Sequence, residues 1–573
     1  MTLRRDVLGL VAAVAPLFIV SWSFRNFNIG PTNDDWIYAR TTLNVSHSFA
    51  DGSRPAWTAH NGQVPAAAVS PIYLAGAWSA LTGFSWEKLL VVTQILAGVG
   101  VAGTYLLVRA FGGGLVVALL ISWTLLFCPW FWGHAFTFMT DASGAGLSAA
   151  AAAGLACGIA SDQKRWLIAG SLLLSLAVLT RQTSLALLML PAVAFFLSKN
   201  RNFGRFALCA AAPLASLALL EIGWFGPGSL DRAAFVVQRP ALQVWLRDLA
   251  YAAYGMLLVV GFSMIPLASL LWRSIRWTRR TQIAAALGLL PAVFFALRGG
   301  RAILTSATGP SVQNAHFGPI LLSDCFEPGR WGDIGDGAWP TSVWFVATLL
   351  SFASLLIIAA ASENSFSAWW SDRSDRSAAV EVGLWTSGVG AGVGLLILMG
   401  FSFDRYWLAV IGPLIGWAAV RLSSQAHGLL SVGLSALASS SALIPLLAFF
   451  ALDLIFTHDW LAFNDTRWSL VQQLRQEGFL PEQIDGGYEV NGWFRSREDP
   501  LTPPRPDGES ARWWSEKAER FLAVGPRPGM VEVERATWTT WAAAGRPVPV
   551  LVLKQSGPAP SARRPPSSPA PHP

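Results

Sequence analysis

The sequence predicts an all-α polytopic membrane protein of about 13 transmembrane helices, followed by a small α/β C-terminal domain. Three observations carry that reading. Of 573 residues, 53% are hydrophobic and only 13% are charged, whereas a soluble domain has about 25% charged residues to cover its surface. Apolar runs of about 20 residues, each able to cross a hydrocarbon core of about 30 Å, recur along most of the chain. Arg and Lys collect in alternate loops between those runs, as orientation signals do.

Hydropathy places helices near residues 7–25, 87–110, 114–131, 142–160, 166–179, 183–198, 204–224, 248–272, 281–298, 340–361, 379–400, 405–421 and 428–456. The first run follows a short basic segment but no small-residue cleavage site follows it, so it reads as a retained helix. An odd number of spans puts the termini on opposite sides. With the N-terminus cytoplasmic, the basic loops fall in register at Arg109, Lys164-Arg165, 199–205, 273–280, Arg373 with Arg376, and Arg421. The net charge of +7 is spread over these loops, which excludes a phosphate-tracking nucleic-acid groove.

Three segments then lie outside the cytoplasm: the loop 26–86, the loop 299–339 and the tail from about 457. Within the first, residues 70–81 are apolar but short and read as a helix lying at the interface. The membrane domain is expected over 1–456 and a small soluble domain over 457–556. That domain holds helical stretches at 468–475 and 512–522 and β-like runs at 530–533 and 548–553. Residues 557–573 are rich in Pro, Ser and Ala and read as disordered. No internal repeat marks the chain. Cys128, Cys157, Cys209 and Cys325 lack metal-ligand spacing and read as free thiols.

Candidate chemistry gathers on the outer side. Asn33-Asp34-Asp35-Trp36-Ile37-Tyr38 follows the first span; adjacent carboxylates there raise at least one pKa, although Asn and Asp also serve as helix caps. Asp141, in Phe138-Met139-Thr140-Asp141, sits among aromatic and apolar residues, where an ionisable group is costly and tends to be paired or functional. A cap on the following helix is the plain alternative for Thr140 or Asp141. Arg181, Arg298, Arg301 and Arg405 fall at outer span ends. Their planar guanidinium groups suit phosphate oxygens, with snorkelling to the headgroups as the alternative for each. His60 and His134 lie on the same side and read as structural. Asn44-Val45-Ser46 and Asn464-Asp465-Thr466 match the glycosylation sequon, a short pattern that arises often by chance.

The acidic pair, Thr137-Phe138-Met139-Thr140-Asp141 and Thr180-Arg181-Gln182 resemble the GT-C glycosyltransferases. Within that group the chain is similar to dolichyl-phosphate-mannose–protein mannosyltransferases and bacterial lipid A aminoarabinose transferases. Trp57 with Gly62-Gln63, and Gly83-Phe84-Ser85, fit the same pattern. The resemblance covers about residues 1–200; beyond them it rests on topology and Asp404-Arg405-Tyr406. The stretch Asp485-Gly486-Gly487-Tyr488-Glu489-Val490-Asn491-Gly492-Trp493 looks like that of uncharacterised bacterial relatives.

The resemblance implies a multi-pass inner-membrane enzyme that moves a sugar from a polyprenyl-phosphate donor to an acceptor hydroxyl, with inversion. Asp34 would be the base and Asp141 the second acid. Asp35 stands where relatives often carry Glu, which leaves open which carboxylate of the pair is the base. Arg181, Arg298, Arg301 and Arg405 would bind the donor phosphate, and Tyr38, Gln182 and Tyr406 would position substrate. No Gly-rich nucleotide loop is apparent. No cofactor is required; a divalent ion on the acidic pair is compatible with the residues but not called for. The competing class is a transporter or flippase of a lipid-linked or small solute. That class places ionisable groups near the midplane, whereas here acids crowd one interface.

Overall fold

The computed structural model describes residues 3–27, 30–32, 35–57, 68–199, 201–223, 242–297, 312–313, 341–399, 402–429, 434–495, 517–527, 529–542 and 544–556. Each of the predicted apolar runs is helical where described. Among the described residues, eight helices are long and apolar enough to cross a membrane, or up to ten if each bent pair counts as one span. Leu8, Ile19, Ile397 and Ile444 on these helices are exposed. Apolar surface of that extent is tolerated only against lipid or a partner. The chain is a multi-pass helical membrane protein.

The first four spans are α1 (Leu3–Ser23), α4 (Trp86–Ala110), the pair α5 (Leu115–Leu126) and α6 (Pro129–Ala135), and α7 (Thr140–Ser161). The run expected as one helix over 114–131 is bent by 69° between α5 and α6. Pro129 sits at the start of α6, where its missing N–H and fixed φ favour beginning a new helix over continuing the old one. After α7 come α8 (Lys164–Thr180), a 3-10 turn (Gln182–Leu188), α9 (Met189–Ala192) and α10 (Phe203–Glu221).

α7 is the axis of this half, buried along nearly its whole length. Gly146, Ala150, Gly154 and Gly158 recur every fourth residue and let backbones approach where larger side chains would not fit. A Cβ on Gly100 of α4 would lie 2.4 Å from the Gly146 Cα, and one on Gly154 would lie 2.9 Å from the Gly170 Cα of α8. The alanine-rich sequence thus fixes a three-helix stack, and Asp141 sits in its first turn.

The second half comprises α11 (Leu242–Ser263) with α12 (Ile265–Leu271), α13 (Arg279–Gly288), α14 (Leu290–Leu297), α15 (Thr341–Ser371), α16 (Arg376–Met399), α17 (Leu408–Leu429) and α18 (Leu434–Gln476). α11 and α12 are bent by 67° at Met264, beside Pro266. A short parallel pair, β1 (Val312–Gln313) with β2 (Ser402–Phe403), leads into the 3-10 turn Asp404–Trp407.

Other expected elements differ from the structure as well. The loop 26–86 carries two helices, α2 (Asp35–Asp51) and α3 (Val69–Thr82), of which only the second was expected. α2 buries Thr41, Thr42 and Val45, with Gly76 of α3 so close that a Cβ there would meet Val45 Cγ1 at 2.6 Å. The helical stretch expected at 468–475 belongs to one helix of 43 residues, α18, which runs across the expected boundary at 456/457.

The tail has a four-stranded sheet, in the order β3 (Ile484–Asp485), β4 (Arg520–Ala523), β6 (Arg546–Gln555), β5 (Met530–Thr540). β3–β4 is parallel; the β4–β6 and β5–β6 pairs are antiparallel. Helix α19 (Tyr488–Arg495) completes the α/β character. The helix expected over 512–522 is replaced at its described end by β4; residues 512–516 lie outside the described residues. Asp459 of α18 accepts from Thr540 Oγ1 at 2.7 Å, Trp541 N at 2.7 Å and Ala542 N at 3.1 Å. Beside it the His458 ring stacks on Trp541 at 3.9 Å.

The predicted alternation of loops is matched by which ends meet. Arg109 pairs with Asp6 at 2.9 Å, Asp162 is paired by Arg205 and by Arg376, and Lys199 N donates to Arg373 O. These are all residues placed on one side by their loops. At the other end, Ala68 N donates to Thr180 O, and the segments around Asp35, Asp141, Arg181 and Tyr406 converge.

Candidate active site

Asp35 opens α2 and is fully buried. Its Oδ2 accepts from Thr32 Oγ1 at 2.9 Å and from the Phe138 backbone N–H at 3.1 Å. The second bond fastens the first-loop helix to the segment leading into α7, three residues before Asp141. Of the expected acidic pair, Asp35 is thereby engaged on one oxygen by two donors; Asp34 lies outside the described residues.

Asp141 is 1% exposed. Arg181 Nη2 approaches its Oδ1 to 3.0 Å as an ion pair. That contact is not aligned as a hydrogen bond, so neither carboxylate oxygen has a hydrogen-bonding partner among the described residues. The cap alternative is excluded: the residue at the N-cap of α7 is Met139, with no side-chain cap bond. The carboxylate is instead favoured by the positive end of the α7 dipole and by one guanidinium. A buried carboxylate left without hydrogen bonds is expensive unless a ligand or water completes it.

Arg181 is held in place rather than dangling in the headgroups. Its Nε donates to Thr140 Oγ1 at 3.0 Å and its guanidinium carbon lies 4.5 Å from the Tyr406 ring centroid. Arg405, 4% exposed, lies 5.7 Å from the same ring. His134, at the end of α6, is buried and within electrostatic reach of both arginines. Arg181 thus links the Asp141 carboxylate to the Tyr406 ring, which Arg405 shares, with the His134 imidazole in electrostatic reach of both guanidinium groups.

Tyr38 is buried one turn along α2 from Asp35, and Gln182 starts the 3-10 turn beside Arg181, half-buried. Arg298, Arg301, His60 and Cys325 lie outside the described residues. Cys128, Cys157 and Cys209 are free. Asn464, a sequon asparagine, is fully buried, with Oδ1 accepting from Arg467 Nη2 at 2.8 Å and Nδ2 donating to Trp460 O; it is a packing residue. No group of three or more His, Cys, Asp or Glu side chains that could hold a metal occurs among the described residues.

Sequence reasoning passed over Asp453, a buried carboxylate within the α18 span whose Oδ2 has no hydrogen-bond partner among the described residues. It also passed over the buried Arg467–Glu489 pair, 2.8 Å, which ties α18 to α19. The signal was present in the first case, a lone acid in an apolar run. The second joins residues 22 positions apart through a fold that hydropathy does not report.

No described protein family and no curated protein matches the sequence. Among solved structures, the chain is similar to the Archaeoglobus fulgidus oligosaccharyltransferase tethered with an acceptor peptide. The identity is 14% and the TM-score 0.48, over 86% of this chain and 63% of that one. It is also similar to ArnT from Cupriavidus metallidurans bound to undecaprenyl phosphate, at 12% identity and TM-score 0.38, and to its apo state, at 15% and 0.40. Both ArnT comparisons cover 95% of this chain and 97% of that one. The chain therefore spans 63% of the length of the oligosaccharyltransferase it resembles.

Proposed function

We propose that this chain is a glycosyltransferase that moves a hexosyl or pentosyl group from a polyprenyl-phosphate donor to an acceptor hydroxyl. The reaction takes place at the outer face of the cytoplasmic membrane and inverts the anomeric centre. The observation that carries this reading is the buried Asp141 carboxylate, paired with Arg181 but without a hydrogen bond among the described residues, at the bundle end where Arg405, Tyr406 and the Asp35 helix meet. Acids and guanidiniums convergent on one interface suit a reaction between a lipid-phosphate headgroup and a polar acceptor.

The chemistry needs two things. The acceptor O–H must lose its proton as its oxygen bonds to the anomeric carbon, and the C–O bond to phosphate must break with its electron pair going to the phosphate. A carboxylate within hydrogen-bond reach accepts that proton, worth about 10²–10⁴-fold. Asp35 is fastened by Thr32 and Phe138, so it serves best as the holder of the pair and Asp34 as the base. Asp141 orients the acceptor hydroxyl. Arg181 and Arg405 stabilise the departing phosphate, with Tyr406 keeping both in place, and the N-terminus is on the cytoplasmic side with the tail outside.

The test uses protein in nanodiscs with a polyprenyl-phosphate sugar and an acceptor. Asp34→Asn and Asp141→Asn are each expected to lose at least about 100-fold in transfer; full activity in both overturns the mechanism. Asp453 is the one observation that favours a transporter, since buried acids in spans mark solute or proton paths. Uphill solute accumulation in liposomes that depends on Asp453 and ignores Asp34 and Asp141 supports that reading instead.

A further inference from the structure

The segment that carries the acidic pair is gripped from the tail at three successive points. Ahead of α2, Trp468 Nε1 donates to Pro31 O at 3.2 Å, and Gly30 lies so close that a Cβ there would meet the Trp468 ring at 2.2 Å. On α2, Trp36 is 1% exposed, and a Cβ on Gly492 of α19 would lie 2.4 Å from its Cε2. One turn on, the Arg40 guanidinium lies 4.5 Å from the Trp493 ring centroid and donates to the Trp493 carbonyl.

α19 is itself anchored. Glu489 forms its buried pair with Arg467 of α18, and Asn491 Nδ2 donates to Asp485 Oδ1 at 2.9 Å while its Oδ1 accepts from Gly486 N. Trp493 also stacks on Phe84 at 6.4 Å and meets Trp86 edge-on at 6.3 Å, next to the start of α4. On the opposite side, the Asp35–Phe138 bond is the tie from α2 to the α7 entry. The orientation of α2 is therefore set between the membrane bundle and an element some 450 residues away in sequence.

We propose that α19 is a positioning element for the acidic pair. Gly492 and Trp493 seat Trp36 and Arg40, and so fix the distance from the Asp35 carboxylate to Asp141. The proposal rests on the glycosyl-transfer reading for its catalytic consequence, but its structural part stands apart from it. Gly492 is required because only a residue without a side chain lets the α19 backbone rest on the indole. Trp493 is required for its ring, which lies against the guanidinium that the backbone carbonyl of the same residue binds.

The experiment uses the full chain in nanodiscs, with Gly492→Ala, Trp493→Ala, Trp493→Phe and Arg40→Lys. Two readouts are taken on every sample: transfer kinetics with a polyprenyl-phosphate sugar, and hydrogen exchange over residues 35–51. Misplacement of about 1 Å costs up to about 100-fold in rate. Trp493→Ala and Gly492→Ala are therefore expected to lower kcat by about 10- to 100-fold with donor KM within about two-fold, and to speed exchange in α2. Trp493→Phe, which keeps an aromatic ring against the guanidinium, recovers most of the loss; Arg40→Lys, which loses the planar fork, does not. Unchanged exchange in α2 for both alanine variants overturns the proposal, whatever the kinetics. So does an activity loss matched by an equal loss of folded protein, or one seen in KM alone. If wild-type protein transfers no sugar, the catalytic reading fails, and the exchange readout still decides whether α19 holds α2.

Discussion

Two buried carboxylate–arginine pairs sit at opposite ends of the bundle, and they are built differently. Near one end, Glu381 of α16 accepts from Ser365 at 2.7 Å, Arg421 at 3.4 Å and Ser424 at 3.3 Å. Trp417 Nε1 closes the cluster by donating to Ser365 Oγ at 3.1 Å. At the other end, Asp141 has Arg181 at 3.0 Å and no hydrogen bond to either oxygen among the described residues. The first pair joins α15, α16 and α17 and leaves its carboxylate saturated. In the second the carboxylate is as buried, its arginine is half-buried, and neither carboxylate oxygen is saturated among the described residues. A saturated network rigidifies, and an incomplete one stores capacity for a ligand.

The largest effect separating them is catalytic. Asp141→Asn is expected to lower kcat/KM for sugar transfer by about 10²–10⁴-fold while thermal unfolding of the purified protein stays near wild type. The converse holds at the other end. Arg421→Ala leaves Glu381 buried without its counter-charge, at a cost of about 3–5 kcal/mol, seen as a lowered unfolding temperature in detergent. The protein that remains folded keeps its transfer rate. Joint replacement by Glu381→Gln and Arg421→Met recovers part of that stability, since a buried pair is worth little over well-packed neutral groups.

A smaller effect sharpens the outer site. Tyr406→Leu removes the ring shared by Arg181 and Arg405, with cation–π contacts worth about 0.5–2 kcal/mol, so donor KM is expected to rise by about two- to thirty-fold. The smallest lies in the tail. Arg535, by hydrogen bond and charge, holds the exposed Glu532 carboxyl below its usual range. Such a group stabilises above its unfolded pKa and loses that contribution as pH falls through the lowered value. On an exposed strand the contribution is screened, and Glu532→Gln is expected to leave acid unfolding of the tail unchanged.

What was legible in the sequence follows the same division. Apolar runs report the spans because a lipid-facing helix must be apolar along its own length. The alternation of Arg and Lys agreed with which loops meet, as Asp6 with Arg109 and Asp162 with Arg205 and Arg376 show. Asp35, Asp141, Arg181, Arg405 and Tyr406 were named from local motifs, and the fold brings them to one end. α2 was missed because its burial comes from partners distant in sequence, Gly492 over Trp36 and Trp493 over Arg40. The continuation of α18 past residue 456 was missed for a related reason. Hydropathy stops there, but Asp459 and Arg467 are satisfied by the tail, so the helix goes on.

The most direct measurement sets the two pairs side by side. Wild type, Asp141→Asn and Glu381→Gln are reconstituted in nanodiscs, and sugar transfer from a polyprenyl-phosphate donor and unfolding temperature are read on the same samples. The prediction is that Asp141→Asn abolishes transfer at an unchanged unfolding temperature. Glu381→Gln lowers the unfolding temperature and keeps transfer per folded molecule. Full transfer by Asp141→Asn, or transfer lost by the two variants in proportion to stability, contradicts the assignment of the outer pair to catalysis.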